Sequence, residues 1–332
     1  MREPAFWWSQ RGLAASLLAP LGMLYGAVAA SRLAQFGARA AVPVVCIGNP
    51  TVGGAGKTPL AQTLARLLEV SGEAPFLLSR GYGGRLAGPL RVDPARHHAA
   101  AVGDESLLLA RVAPTVVARN RVAGAQAAVA AGASIIVMDD GFQNPALQKD
   151  FSVLVVDGRR GIGNGRVVPA GPLRAPLAAQ LARADALVMV GASVDGLTVA
   201  ARERGVPVFH ASFSPDAAVA ATLSGARVLA FAGIGDPDKF FATLTGAGIS
   251  VAAAVSFPDH HRYTTQEARM LCQQADREGL IPVTTEKDLA RMQGDAKLAA
   301  LAERARALPV TLTLADAEAF LRLLRGKLAG VR

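Results

Sequence analysis

The chain has 332 residues, enough for about two domains, and its 51% hydrophobic content supports large cores. Its two cysteines, Cys46 and Cys272, exclude a disulfide framework and a cysteine-based metal site. The net charge of +9 points to an anionic partner, namely nucleic acid, an anionic membrane or an anionic substrate. No RNA- or DNA-binding module is present, and no aromatic cluster interrupts the basic segments, so nucleic acid is set aside and the membrane moves ahead.

The first predicted element is apolar. Leu13 to Ala30 carries no charge, Arg2 and Arg11 precede it, and Arg32 follows. Trp7 and Trp8 stand where interfacial aromatics belong. Leu13, Leu17, Leu21, Leu24 and Val28 recur at helical spacing and form one apolar stripe, while Ala15, Gly22, Gly26 and Ala30 keep the other faces slim. Three readings compete. A transmembrane anchor needs about 20 apolar residues. A helix pair or kinked helix, broken at Pro20, could lie in the membrane interface. A cleaved signal peptide would use Ala27-Val28-Ala29 and is the least favoured of the three. The interfacial reading is preferred. Gly22-x-x-x-Gly26 is a weak helix-pairing signal that composition alone can explain.

The next element carries the strongest chemical signal. The apolar run Val42–Ile47 predicts a strand and Leu60–Glu69 a helix. Between them lies Thr51-Val52-Gly53-Gly54-Ala55-Gly56-Lys57-Thr58. A strand, a glycine loop, Lys-Thr and a helix describe a phosphate cradle, because backbone N–H groups and the helix N-terminus both face the anion. Lys57 would reach the β- and γ-phosphates and Thr58 would ligate Mg²⁺. Thr51 replaces the first glycine of the usual pattern. An ordinary Gly-rich turn is the alternative, but the flanking elements are those the motif requires.

Short apolar strands then alternate with helical patterns, which predicts βαβ units and a parallel sheet. Strands are expected at 75–79, 115–118, 134–138, 152–156 and 186–190, and helices at 104–112, 121–131 and 177–184. A Pro/Ser/Gly-punctuated stretch from Ser212 to Gly225 suggests a boundary. Strands at 227–232, 249–256 and 281–284 follow, with helices at 237–244, 265–278 and 315–328. The expected organisation is an N-terminal segment 1–36, a P-loop lobe 37–222 and a smaller α/β lobe 223–332.

Several stretches could add chemistry. In Ser134 to Gln143 a buried strand ends in Asp139 and Asp140, and ligands bind at that end of a parallel sheet. A carboxylate there can hold the Mg²⁺ shell, although a strand ending in an Asp-Gly turn is common. Asp104 and Glu105 open a helix, where carboxylates can simply complement the dipole. His260 and His261 lie before Thr264-x-x-Glu267, a capping box, and could be a solvated turn or supply a base. The loop Gly158 to Arg174 holds Arg159, Arg160, Arg166 and Arg174. It could clamp an anion or face anionic lipid. Thr285-Glu286-Lys287-Asp288 reads as a helix N-cap with a solvated lysine and does not match the guanine pattern of GTPases.

Taken in order, these motifs closely resemble the tetraacyldisaccharide 4′-kinase family of Gram-negative bacteria. The resemblance rests on Gly48-Asn49-x-Thr51-Val52-Gly53-Gly54-x-Gly56-Lys57-Thr58-Pro59, Ser79-Arg80-Gly81-Tyr82-Gly83 and Gly103-Asp104-Glu105. It continues through Ala118-Arg119-Asn120-Arg121, Asp139-Asp140-Gly141-Phe142-Gln143, Gly163-Asn164-Gly165 and Pro169 to Arg174. Phe257-x-Asp259-His260 and Thr285 to Asp288 complete it. It implies an α/β fold, a P-loop NTPase-type parallel-sheet lobe with a second, smaller α/β lobe and an N-terminal helical membrane-docking segment. It also implies transfer of the ATP γ-phosphate to the 4′-hydroxyl of an acylated glucosamine disaccharide 1-phosphate, at the cytoplasmic face of the inner membrane.

On the same resemblance, Asp104 is the catalytic base, His260 its partner across the cleft, and Lys57 the phosphate-stabilising cation. Thr51, Val52, Gly53, Gly54, Ala55, Gly56, Lys57 and Thr58 would bind ATP. Thr58, Glu105, Asp139, Asp140 and Gln143 would surround Mg²⁺, and Arg80, Tyr82 and Arg121 would lie near the substrate head group. His261 leaves the choice of histidine open. Ser106 stands where a proline is frequent, and Ala175 where an acidic residue is frequent, which removes a salt bridge expected for Arg174. A rival class is a membrane-associated partitioning-type switch ATPase, but its extra lysine is Val52 here. A soluble P-loop small-molecule kinase is a second rival, one that would not need residues 1–36.

Overall fold

The computed structural model describes residues 3–9 and 12–330, so Arg2 and Arg11 of the expected N-terminal flank lie outside the described residues. Among the described residues thirteen strands run in chain order. They are β1 Val44–Gly48, β2 Pro75–Ser79, β3 Leu90–Arg91, β4 Thr115–Val117, β5 Ile135–Asp139, β6 Phe151–Asp157 and β7 Ala186–Val190, then β8 Val208–Pro215, β9 Arg227–Ala232, β10 Ser250–Ser256, β11 Ile281–Thr284, β12 Arg306–Ala307 and β13 Val310–Leu314.

Nine of them form one sheet in the order β13-β8-β7-β6-β1-β5-β2-β4-β3. Its interior pairs are parallel, and antiparallel β13 and β3 close the two edges. Side chains alternate across a strand, so each central strand feeds two cores. Val45, Ile47, Ile135 and Val137 pack under Leu60, Leu64 and Leu68 of helix Lys57–Val70. Val44, Cys46, Ile136 and Met138 pack on the other face with Ala125 and Ala128 of helix Arg121–Ala130. Helices on both faces explain why these strands read as unbroken apolar runs.

The second sheet, β10-β9-β11-β12, is parallel throughout. Leu229 and Phe231 of β9 face Leu271 of helix Thr265–Glu278, while Val228 and Ala230 face Phe240 and Leu244 of helix Pro237–Gly246.

The lobe assignment needs one correction. The C-terminal stretch expected in the smaller lobe returns to the large sheet. β13 pairs with β8 from Val310↔Pro215 to Leu314↔Ala211. Phe320, Leu324 and Leu328 of helix Ala317–Leu328 complete the core under β1 and β6. The expected break at Ser212 is likewise inside β8. Both strands lie at or next to the sheet edge, where one side is exposed and polar residues alternate with apolar ones, which masks the strand signal.

At the N-terminus, helix Leu13–Leu17 is followed after Leu18 by helix Ala19–Ala34, with Pro20 in its first turn. A proline is tolerated there and ends the preceding helix. Among the described residues no helix is long and apolar enough to cross a membrane. The predicted stripe is indeed outward: Leu13 is 86% exposed and Leu17 80%, and Leu21, Leu24 and Val28 are also exposed. The slim face is inward. A Cβ on Gly22 would stand 2.8 Å from the Val167 carbonyl oxygen, so the Gly22/Gly26 spacing serves close packing on the 167–176 loop. Trp7, expected at a lipid interface, is buried and donates its indole N–H to Pro169 O at 3.0 Å.

Candidate active site

The glycine loop leaves β1 at Gly48 and enters helix Lys57–Val70 at Gly56. Buried Asn49 buckles it: its amide donates to Thr51 O at 2.6 Å and Gly53 O at 3.0 Å, and its Oδ1 accepts from Lys57 Nζ at 3.0 Å. Gly53 and Gly56 have φ of 100° and 95°, a region that favours glycine. Thr51 is not among the residues with positive φ. It bridges Leu173 in antiparallel fashion, which a β-branched residue does well. This is why a threonine can stand where the usual motif has glycine. Burial lowers the pKa of the Lys57 ammonium, although Asp140, 3.8 Å away, opposes the shift.

The carboxylates sit where β5 ends. The Thr58 hydroxyl donates to Asp139 Oδ2 at 2.9 Å, while buried Asp139 Oδ1 has no hydrogen-bond partner. Burial, with Glu105 adding to it, pushes the Asp139 carboxyl up to about 7. An orphaned buried carboxylate oxygen beside a P-loop hydroxyl is the donor set a hard cation takes. Asp140, with φ 53°, turns away to Arg174, whose Nη1 and Nη2 lie 3.1 and 3.5 Å from its two oxygens. Arg174 therefore has a carboxylate partner despite Ala175.

Of the five expected metal neighbours, Thr58 and Asp139 are in contact, and Glu105 and Asp140 stand close enough for their charges to raise the Asp139 pKa. Glu105 pairs with Lys287 at 2.6 Å, which outweighs burial and holds its carboxyl down at about 2. Gln143 spends its amide on Asn49 O and Gln180 Oε1, each at 3.2 Å. Among the described residues no three His, Cys, Asp or Glu side chains are grouped as a metal site. Lys287, expected to be solvated, is thus engaged across the lobes, while Thr285 does cap its helix by accepting from Asp288 N.

Asp104 is brought in by a sharp turn. Gly103 has φ 87°, and a Cβ there would lie 2.4 Å from Tyr82 O. The Asp104 Oδ2 faces the second lobe, with His260 Nδ1 at 3.7 Å. Tyr82, largely exposed, meets the His260 ring edge-on with centroids 5.0 Å apart. His261 points elsewhere. Its Nε2 lies 3.0 Å from Glu267 Oε2, inside the capping box formed with Thr264. Ser106 replaces the frequent proline with a hydroxyl bond to Ser79 at 3.0 Å. Arg80 is exposed, whereas Arg121 is buried, bonds Ala118 O at 2.7 Å and leaves Nε without a partner.

The basic loop serves the architecture more than an external anion. Arg160 binds Glu3 at 2.8 Å and covers the Trp8 ring, Arg159 binds Asp236 of the second lobe, and Arg166 donates to Ala15 O at 2.9 Å. Neither Asn49 nor Arg291, which bonds Asp104, was singled out from sequence. Asn49 lies inside a quoted motif, and Arg291 follows Asp288 at i,i+3.

Comparison with known proteins decides the family. The family model described as "Tetraacyldisaccharide-1-P 4'-kinase" matches residues 14–329. The chain belongs to this family. Relatives named tetraacyldisaccharide 4′-kinase include one from Rhodopseudomonas palustris (strain BisB18), 56% identical over 100% of this chain and 97% of its own. Another, from Nitrobacter winogradskyi, is 53% identical over 100% of this chain and 99% of its own. The crystal structure of LpxK from Aquifex aeolicus in complex with ATP is 28% identical, with a TM-score of 0.73 over 95% of this chain and 99% of that one. Family membership removes both rivals, the partitioning-type ATPase and the soluble small-molecule kinase. The chain is an ATP-dependent kinase of lipid A synthesis.

Proposed function

We propose that this kinase transfers the γ-phosphoryl group of ATP to the 4′-hydroxyl of a membrane-borne tetraacyldisaccharide 1-phosphate, with Asp104 as general base. The observation that carries the residue assignment is the meeting of two sites on two lobes. A phosphate cradle with Lys57 and the Thr58–Asp139 pair lies on one side, and a buried carboxylate, Asp104, is held against the second lobe on the other. Asp104 would take the alcohol proton as the oxygen attacks phosphorus, and Lys57 would balance the charge that accumulates on the phosphate oxygens. Thr58 and Asp139 would hold Mg²⁺, which when bound neutralises the phosphates. Asp140 and Glu105, ion-paired to Arg174 and Lys287, would shape the field around that cation. Arg80 and Tyr82, both exposed, would meet the sugar head group, and buried Arg121 would add its charge beside Arg80.

The apolar row on the two N-terminal helices would seat the enzyme in the interface of the cytoplasmic leaflet, keeping the acyl chains in lipid while the sugar enters the cleft. The test is Asp104→Ala beside Lys57→Ala. Asp104→Ala is expected to lower kcat about 10²–10⁴-fold with ATP affinity unchanged, and Lys57→Ala to abolish transfer. Unchanged turnover with weakened ATP binding in Asp104→Ala would instead make it a nucleotide-site residue.

A further inference from the structure

We propose that Asn49 is the positioning residue of the phosphate cradle, turning both the loop and the Lys57 ammonium toward the nucleotide, an inference that rests on Lys57 and the glycine loop holding ATP. Asn49 follows β1 and is 0% exposed. A carboxamide so deeply buried is costly unless its polar groups are paired. All of them are. Its two N–H donors go to Thr51 O at 2.6 Å and Gly53 O at 3.0 Å, and its oxygen accepts from Lys57 Nζ at 3.0 Å. One side chain therefore ties together three points of the loop.

The direction of each bond suits an anion. A backbone nest attracts phosphate when its N–H groups face the ligand and its carbonyl oxygens, which repel it, face away. Asn49 draws two such carbonyls to the buried side of the loop, and Arg174 Nε also holds Thr51 O, at 2.9 Å. Val52 spends its N–H on Pro172 O at 2.8 Å. Among the described residues, the N–H groups of Gly54, Ala55, Gly56, Lys57 and Thr58 take no protein acceptor, which leaves them for phosphate oxygens. The Lys57 ammonium has three donors. Asn49 fixes one, and Asp140, at 3.8 Å, is too far to take another, so two remain for the nucleotide. The amide is anchored in turn. Asn49 O accepts from Gln143 Nε2 at 3.2 Å, and the adjoining Pro50 O accepts from buried Gln180 Nε2 at 3.1 Å. Only a carboxamide meets this pattern. Aspartate would keep an acceptor for Lys57 but set a negative oxygen against the Thr51 and Gly53 carbonyls, and alanine would leave Gly53 O and the ammonium without this partner.

The test is steady-state kinetics of Asn49→Ala and Asn49→Asp in the full-length enzyme, assayed in detergent with labelled ATP, Mg²⁺ and acylated glucosamine disaccharide 1-phosphate. Asn49→Ala is expected to raise KM for ATP about tenfold, as the loss of buried hydrogen bonds does. It should also lower kcat about 10²-fold, as a misplaced reacting group does. KM for the glycolipid should not change. Asn49→Asp, which keeps only the acceptor, should raise KM for ATP at least as much. Being nearly isosteric, it carries the test if circular dichroism and thermal melting show that the alanine variant does not fold. Wild-type KM for ATP in either folded variant overturns the positioning role. So does a fall in kcat with both KM values unchanged, which is the result of fewer active molecules. Lys57→Ala, assayed alongside, tests the premise separately: wild-type turnover in that variant would overturn the cradle reading itself, so the two failures are distinguishable.

Discussion

Asp139→Asn separates the energetic from the catalytic consequences of the strand-end carboxylate. Asp139 gives one oxygen to the Thr58 hydroxyl and leaves the other buried without a partner. Desolvation, followed by the Glu105 charge, moves its pKa from 3.8 to about 7. Between those two values the native state keeps a proton that the unfolded chain has released. Stability therefore falls as pH rises across that window. A shift of about three pH units, at 1.36 kcal/mol each, corresponds to up to about 4 kcal/mol lost by pH 8. Asparagine is nearly isosteric and does not ionise, so the variant lacks that slope.

Urea denaturation with chelator at pH 5, 6, 7 and 8 measures it. The wild type should lose stability relative to the variant from pH 5 to pH 7, and the difference should level off by pH 8. With Mg²⁺ and ATP present the order should reverse, because ligand stabilises only a competent native site, and Mg²⁺-dependent turnover of the variant should collapse. Parallel pH profiles for the two proteins would refute the claim that Asp139 is an uncompensated buried acid awaiting a cation.

Three other substitutions probe two independent parts of the molecule. Leu17 is 80% exposed, so Leu17→Ser forfeits most of the roughly 2 kcal/mol gained by burying a leucine in lipid. Binding to anionic vesicles, read by sedimentation, should weaken about tenfold, and unchanged binding would contradict interfacial docking. His260→Ala should lower kcat, whereas His261→Ala should leave kcat intact and reduce stability by about 1 kcal/mol through the Thr264–Glu267 cap. A kcat loss confined to His261→Ala would reverse the choice that the geometry makes.

Local chemistry was the legible part of this sequence. β2, β7, β9 and β11 and helix Thr265–Glu278 were predicted to the residue, because buried parallel strands and a capping box leave strong patterns. The glycine loop and Asp139 were likewise readable from their flanking elements. What escaped depends on distant parts of the chain. β13 returns to the first sheet through pairing with β8, and no local period records which sheet a strand will join. Lys287 reads as a solvated lysine at a helix N-cap, and Arg291 carries no signal at all, until the fold brings Glu105 and Asp104 against them. Gly22 and Gly26 gave a helix-pairing signal whose true partner is a loop more than a hundred residues away. Trp7 stands beside the apolar stretch where an interfacial aromatic belongs, yet the same loop buries it.

The central claim is that a phosphate cradle tethered to a bilayer phosphorylates a lipid-linked sugar. Its most direct measurement is mass spectrometry of acylated glucosamine disaccharide 1-phosphate after incubation with the purified protein, ATP and Mg²⁺. The account predicts one added phosphoryl group at the 4′ position, absent when chelator is present or Lys57 is alanine. An unmodified glycolipid alongside rapid phosphorylation of a water-soluble acceptor would contradict it.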